Sequence, residues 1–330
     1  MAEYTSDAGR SWTAGTIPSA VASDLALSAV SCATTTDCVA VGQGGVIVIS
    51  TNGGQSWLLP AHWEQWAEET EGGTDIELVS CATTAHCVAV SFTGTTTGGF
   101  YSKNGGRSWL PSMVPGTMSD VSNGLSCPTA EHCVAVGSLN AVGGSPAGVL
   151  YTDDGGSSWS EGTVPNGVGY LTGVSCQTVS FCVAGADKLN VPVGSHSWLL
   201  HVILVSKNGG ASWLEQSLPE GIAGADLVSC GGPKTCVAIG AQGAEDAGTA
   251  AAYTANGGNS WSVGRLPPGI PGYLEGTGYP YGPGLTAVSC PAVRECVAVG
   301  MISRVVVVTT NGGMSWSVVS HGVSAETTTS

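Results

Sequence analysis

An eight-residue segment recurs along this chain and constrains its fold more than any other feature. It reads Ser50-Thr51-Asn52-Gly53-Gly54-Gln55-Ser56-Trp57 and returns at Ser102–Trp109, Thr152–Trp159, Ser206–Trp213, Thr254–Trp261 and Thr309–Trp316. A seventh copy, Thr5–Trp12, has Ala8 in place of the first Gly. The pattern is [Ser/Thr]-x-[Asp/Asn]-[Gly/Ala]-Gly-x-Ser-Trp, and its Trp residues lie 45 to 55 positions apart. A second element runs in step with it. All 12 cysteines fall in Cys-x5-Cys pairs: Cys32/Cys38, Cys81/Cys87, Cys127/Cys133, Cys176/Cys182, Cys230/Cys236 and Cys290/Cys296. Each pair is preceded by Ser and followed by Val-Ala. A period of this length marks a repeat architecture, in which each unit buries its faces against its neighbours.

Between the two elements lie apolar runs of strand length. One repeat reads as strand A (Leu27–Cys32), B (Cys38–Gly42), C (Gly45–Ser50) and D (Ser56–Leu59), rich in Val and Ile and bounded by Gly. Asn-Gly-Gly between C and D is a hairpin signal, because Asn and Gly tolerate positive φ. Four short antiparallel strands per unit predict an all-β propeller. Six blades are complete, and a partial seventh is shared by the termini. Length alone suggests two domains, but the repeat predicts one propeller over residues 1–320, followed by a Ser/Thr-rich tail or linker at 321–330.

The octapeptide resembles the Asp-box, or BNR, repeat of sialidases, sortilin-type receptors, xyloglucanases and photosystem II assembly-factor-like propellers. The Cys-x5-Cys additions resemble actinobacterial-type secreted repeats. In the Asp-box family the box is a structural C–D turn remote from any active site, so the resemblance gives Asp7, Asn52, Asn104, Asp154, Asn208, Asn256 and Asn311 a structural role. A sialidase also needs three arginines around its substrate carboxylate. Of the five arginines here, Arg10 and Arg107 sit in boxes and Arg294 in a Cys hairpin. Only Arg265 and Arg304 can reach the other face, so sialidase activity is not expected.

Cysteines with five residues between them, at the end of an A–B hairpin, suit a disulfide. Closing such a loop stabilises by about 2.4 kcal/mol in the chain-entropy model. Zinc and free thiols are the alternatives, and zinc sites use four ligands at shorter spacings. Disulfides imply an oxidising, extracellular or cell-surface setting. Met1–Thr5 shows no basic and apolar leader, so a signal peptide is expected to have preceded this sequence and been removed.

Antiparallel connectivity puts the A–B and C–D turns at one end of the blade and the B–C and D–A connections at the other. The first end carries short, uniform turns. The irregular insertions fall at the second: Pro60–Thr74, Ser91–Gly98, Ser138–Pro146, Ala186–Ser197, Ala241–Gly248 and Pro267–Gly284. Function concentrates on such loops. Acidic residues gather there too, including Asp24, Glu64, Glu71, Asp187, Glu245 and Glu275, against Lys188, Arg265 and Arg304. The net charge of -15 argues against nucleic acid and anionic membranes. No apolar run is long enough to span a bilayer.

Candidate residues follow from this division. Pro60–Glu69 reads as a helix with Trp63 and Trp66 on one side. These two, with His62, would stack on a sugar or cap the propeller. Glu275, Tyr279 and Tyr281, in a Gly/Pro-rich loop, would form a second contact surface or pack on the blade rim. Four residues before each first Cys stands a polar residue: Ser28, Glu77, Asn123, Thr172, Asp226 or Thr286. These would ring the channel, and Glu77 and Asp226 would be the facing carboxylates of a glycoside hydrolase, which need about 5–9.5 Å between them. A solvated polar ring is the alternative. No cofactor is expected, and a bound calcium finds no loop spacing to support it. The leading expectation is a non-catalytic scaffold binding a protein or glycan at the B–C/D–A face. The rival is a xyloglucanase-like glycan-active enzyme, and a third reading is a module of a larger surface protein.

Overall fold

The computed structural model describes residues 2–7, 9–22, 26–61, 75–92, 97–115, 118–139, 147–193, 196–222, 224–242, 248–268, 270, 284–300 and 305–321. They form antiparallel sheets with almost no helix, and the fold is a six-bladed β-propeller. A two-stranded sheet, β1 (Ala2–Tyr4) and β2 (Thr13–Gly15), flanks the first Asp-box. This pair lies where the sequence reads a partial seventh blade, and the propeller has six blades. A short helix α1 (Ser19–Ala22) follows.

Blade one is β3 (Leu27–Cys32), β4 (Cys38–Gly42) and β5 (Ile47–Ser50), with its outer strand reduced to the bridge between Ile49 and Leu58. Blade two is β6 (Asp75–Cys81), β7 (Cys87–Phe92), β8 (Thr97–Ser102) and β9 (Leu110–Pro111). Blade three is β10 (Met118–Ser126), β11 (Cys133–Leu139), β12 (Ala147–Thr152) and β13 (Ser160–Glu161). Blade four is β14 (Val168–Cys176), β15 (Cys182–Val193), β16 (His196–Ser206) and β17 (Leu214–Gln216). Blade five is β18 (Leu227–Gly232), β19 (Thr235–Ala241), β20 (Thr249–Thr254) and β21 (Ser262–Gly264). Blade six is β22 (Ala287–Ala292), β23 (Glu295–Val299), β24 (Val305–Thr309) and β25 (Ser317–His321). The chain forms two compact units, Met1–Tyr4 with Ala14–Ser217, and Thr5–Thr13 with Leu218–Ser330.

A single sheet leaves one apolar face in water, and here neighbouring blades cover it. Val39, Val41, Ile47 and Ile49 of blade one share a core with Ile76, Val79, Ala89 and Trp109 of blade two. The same arrangement joins blades two and three, three and four, and five and six. The B strand is covered on both sides, which is why Cys38–Gly42 is buried throughout. It therefore reads as an unbroken Val-Ala run rather than an alternating one.

All six Cys-x5-Cys pairs are disulfides, and no free cysteine remains. The second cysteine of each pair is buried: Cys38, Cys87, Cys133, Cys182, Cys236 and Cys296. These are core groups that staple each hairpin. The serine before each pair has a separate task. Ser31 Oγ accepts the Cys81 N–H of the next blade at 2.9 Å, Ser80 that of Cys127 at 3.1 Å, Ser126 that of Cys176 at 2.9 Å, and Ser229 that of Cys290 at 3.0 Å. Its recurrence is visible in the sequence, but a bond to the next repeat is not, because that partner is fixed only by blade packing.

The Cys turns are less uniform than expected. In blades one to four the second cysteine opens the B strand, and a threonine two residues after the first cysteine closes the turn. Thr34, Thr83, Thr129 and Thr178 each accept, on Oγ1, the N–H of the residue before the second cysteine at 2.9 to 3.0 Å. In blades five and six that position holds Gly232 and Ala292, which have no hydroxyl. Their backbone instead pairs with Thr235 and Glu295, so the ladder runs past the disulfide. Cys236 and Cys296 therefore lie inside β19 and β23 rather than opening them, and Cys230 stands directly opposite Cys236. The hydroxyl competes with the ladder for the backbone, and its absence lets the ladder extend.

A second correction concerns Ala186–Ser197, which is not an irregular insertion. β15 and β16 stay paired out to Val193 and His196, so most of the segment is a strand extension. Asp187 is 8% exposed on β15 rather than standing on an open acidic face. Lys188 pairs with Glu215 of β17, Nζ to Oε2 at 2.6 Å. The reason is local: Val191, Val193 and Trp198 favour extended backbone, and the pairing outlasts the Asn and Pro between them.

Candidate functional site

The two ends of the blades differ in how their backbone is committed. At the hairpin end, each complete box closes on itself. In the first complete copy, Ser50 Oγ donates to Asn52 Oδ1 at 2.9 Å and accepts the Gly54 N–H at 2.9 Å. Asn52 Oδ1 accepts the Ser56 N–H at 3.0 Å, and Nδ2 donates to Ser56 Oγ at 2.8 Å. Equivalent bonds hold Asn104, Asn208, Asn256 and Asn311. Where the box carries Asp, the serine hydroxyl reverses and donates. Ser11 does so to Asp7 and Ser158 to Asp154, both at 2.6 Å. The hydroxyl and amide of Ser11, with the Thr5 hydroxyl, bring the Asp7 carboxyl down to about 2. Burial pushes Asp154 up, but the bonds from Ser158 and Thr152 outweigh it and leave the group below the ordinary carboxylate value.

Each complete box is then tied within its own blade, and four are also tied to the repeat before. Its first Gly donates to a carbonyl two residues before the second Cys of its own blade: Gly53 to Thr36, Gly105 to Ala85, Gly155 to Glu131, Gly209 to Ser180, Gly257 to Lys234 and Gly312 to Arg294, at 2.8 to 3.1 Å. Cys hairpins and boxes therefore share one face. Its Trp N–H donates to the preceding repeat: Trp57 to Thr16, Trp159 to Met113, Trp213 to Thr163 and Trp316 to Arg265, at 2.9 to 3.1 Å. His132 of a Cys hairpin belongs to the same framework, 4% exposed with Nδ1 2.7 Å from Asp153 Oδ1.

At the opposite end, the polar residue four positions before the first Cys stands at a bulge in blades one to four. Ser28, Glu77 and Thr172 each fall at a register shift of the innermost strand, and Asn123 lies within another. A bulge re-aims the side chain of its extra residue, a device found beside binding sites. Asn123 Nδ2 donates to the Leu171 carbonyl at 2.8 Å, and Tyr170 Oη donates to Asn123 Oδ1 at 3.1 Å. Glu77 is half-buried on β6 in the first unit, and Asp226 is half-buried just before β18 in the second. His62, Trp63, Trp66, Glu275, Tyr279 and Tyr281, and the helix read over Pro60–Glu69 beyond residue 61, lie outside the described residues.

Sequence reasoning missed an open cleft of about 430 Å³ at this end of blade five. Beside it the outer strand peels away, as it does at Thr16, Met113 and Thr163 in other repeats. β21 pairs with β20 only from Ala251 to Tyr253. The next residue, Arg265, is captured by the following box: its N–H donates to Met314 and its carbonyl accepts from Trp316. The gap is walled by Thr249–Ala251, by Val263, Gly264, Leu266, Pro267, Pro268 and Ile270, and by Glu220–Ile222 with Gln242. A bridge between Ile222 and Gln242 closes one side.

Among the described residues, no group of three or more His, Cys, Asp or Glu side chains could hold a metal ion. Among them, too, no helix is long and apolar enough to cross a membrane.

No family model and no curated protein matches the sequence. Solved structures do match in shape. YCF48 bound to D1 peptide superposes with a TM-score of 0.56 at 14% identity, over 89% of this chain and 80% of that one. The WD40 repeats of RRP9 give 0.56 at 9% identity, over 89% and 80%. An ancestral GH74 enzyme gives 0.53 at 13% identity, over 88% of this chain and 38% of that chain. At such identities the likeness shows the fold, a β-propeller shared by proteins that bind and proteins that catalyse.

Proposed function

We propose that this chain is an exported, Asp-box type propeller domain over residues 1–320 that acts as a non-catalytic scaffold. It engages a protein or glycan through its B–C/D–A face. One observation carries the reading. The box-and-hairpin face commits its backbone to bonds within and between blades, whereas the opposite face carries the blade-five cleft. The peptide bound by YCF48 supports a propeller of this shape as a protein-binding fold. Six disulfides support export to an oxidising compartment, and residues 321–330 would serve as a linker within a larger surface protein.

The test is a binding and turnover panel of polysaccharides and candidate proteins. Binding without turnover, weakened by Trp63→Ala or Tyr279→Ala and kept in box-face variants, is the expected result. A second reading draws on the GH74 likeness and the bulge at Glu77. It makes Glu77 and Asp226 the catalytic pair of a glycan hydrolase. Measurable hydrolysis that disappears in Glu77→Gln, with affinity retained, would establish the enzyme and displace the scaffold.

A further inference from the structure

Seven Asn-Gly steps occur in the sequence, at Asn52, Asn104, Asn123, Asn166, Asn208, Asn256 and Asn311. Asn is chemically labile, most of all before Gly, whose missing Cβ leaves the backbone nitrogen open to the side chain. Five of the steps lie in Asp-boxes, where both groups are engaged. Each box Asn accepts the N–H of the Ser four residues on and donates to its hydroxyl. The N–H of the following Gly donates to a Cys-turn carbonyl. Asn123 is held by Leu171 and Tyr170, and Gly124 pairs with Val136 between β10 and β11. Asn166 differs from them all. Among the described residues, neither its side chain nor the Gly167 N–H takes part in a hydrogen bond. Exposure does not set it apart, since Asn104, Asn208 and Asn256 are exposed as well. Pro165–Val168 is a tight turn in the connection from β13 to β14. One bond closes it, from the Val168 N–H to the Pro165 carbonyl at 3.3 Å, with Gly167 at φ +86°.

We propose that Asn166 is a self-modification site, converted to aspartate and isoaspartate by the Gly167 backbone and water, which adds a negative charge at a D–A connection. The Gly167 nitrogen loses its proton to base and bonds to Asn166 Cγ. The Cγ–Nδ2 bond breaks, and the side-chain nitrogen leaves as ammonia. Water then opens the succinimide ring, giving aspartate from one carbonyl and isoaspartate from the other. Attack requires the peptide between Asn166 and Gly167 to rotate, and that breaks only the turn bond. At a box the same rotation breaks both Asn bonds and the Gly bond. Two extra bonds of ordinary net strength make that opening rarer by about thirtyfold. The matching turn of the next repeat shows that an acid fits. Pro219–Ile222 has the same closing bond, at 3.2 Å, the same φ of +86° at Gly221, and Glu220 where Asn166 stands.

The experiment ages the full chain in mildly alkaline buffer and follows every Asn-Gly step by peptide mapping and mass spectrometry. A parallel sample is unfolded in urea with its disulfides reduced. In the folded chain Asn166 is expected to convert at least about tenfold faster than any other step, with a more acidic band growing on isoelectric focusing. In the unfolded sample that gap should close. Asn166→Gln should keep the aged protein as one band. Asn166→Asp should run with the acidic band from the outset and keep the parent's urea midpoint. A box Asn that converts as fast as Asn166 in the folded chain would overturn the proposal. So would a gap that persists in urea, which would assign the difference to flanking sequence instead of bonding. An Asn166 that folding protects as strongly as the box residues would overturn it too. None of these readouts involves a binding partner, so the result stands apart from the scaffold reading.

Discussion

Gly156 and Gly167 offer a matched pair for testing how the blades are joined. Both hold φ at +86°, in the left-handed region. At Gly156, the second Gly of its box, an added Cβ would meet Val88 Cγ2 at 2.9 Å, Val88 Cγ1 at 3.3 Å and Tyr101 Cβ at 3.4 Å, all in the preceding blade. At Gly167 it would meet nothing within 4 Å. An alanine in this conformation costs roughly 1–2 kcal/mol at either place. Overpacking adds roughly 1–3 kcal/mol at Gly156 only, because Val88 is 2% exposed and has no free volume to move into. Gly156→Ala should therefore cost about 2–5 kcal/mol and Gly167→Ala about 1–2 kcal/mol. In urea, with an m-value near 3 kcal/mol/M, the overpacking difference separates the two midpoints by roughly 0.3–1 M. Unfolding followed by tryptophan fluorescence reads it directly. Equal midpoints, or a larger loss at Gly167→Ala, would refute the claim that the box glycine is set by contact with the neighbouring blade.

Three other outcomes are expected. Asp7 has a folded value below its unfolded value of about 3.9, so its contribution to stability is present above that pH and lost as pH falls through about 2. Its carboxyl carbon should titrate near 2 by NMR, and Ser11→Ala should move the midpoint up toward the ordinary value. Ser80→Ala leaves the Cys127 N–H without its acceptor and should cost about 1–2 kcal/mol, with exchange of that amide roughly tenfold faster. Replacing Cys81 and Cys87 together by Ala should lower stability by about 2.4 kcal/mol, measured from the urea midpoint. Retention of full stability would show that the A–B hairpin needs no covalent closure.

The repeat determined the secondary structure. Asn-Gly-Gly can only be a tight turn with positive φ, and all six complete boxes hold both glycines there. The strands read as Leu27–Cys32 and Cys38–Gly42 are the strands observed, because Val, Ile and Gly act locally. The cysteine pairing was legible for the same reason, since five residues between partners keep both at one hairpin end. The earlier start of the strands that carry Cys236 and Cys296 has a local signal too, the loss of the turn threonine at Gly232 and Ala292.

Tertiary structure decided what depends on a neighbour some fifty residues away. Ser31 and Ser80 look like hairpin residues in sequence, and only packing brings their hydroxyls to the next blade's Cys amide. Glu77 reads in sequence as one of a regular row of polar residues, and only the register shows that it stands at a bulge. The cleft beside Val263 has no motif at all. Beside it Arg265 bonds to the following box instead of continuing β21, as Thr16, Met113 and Thr163 do in other repeats, and that competition between two backbone partners is settled only when the blades meet.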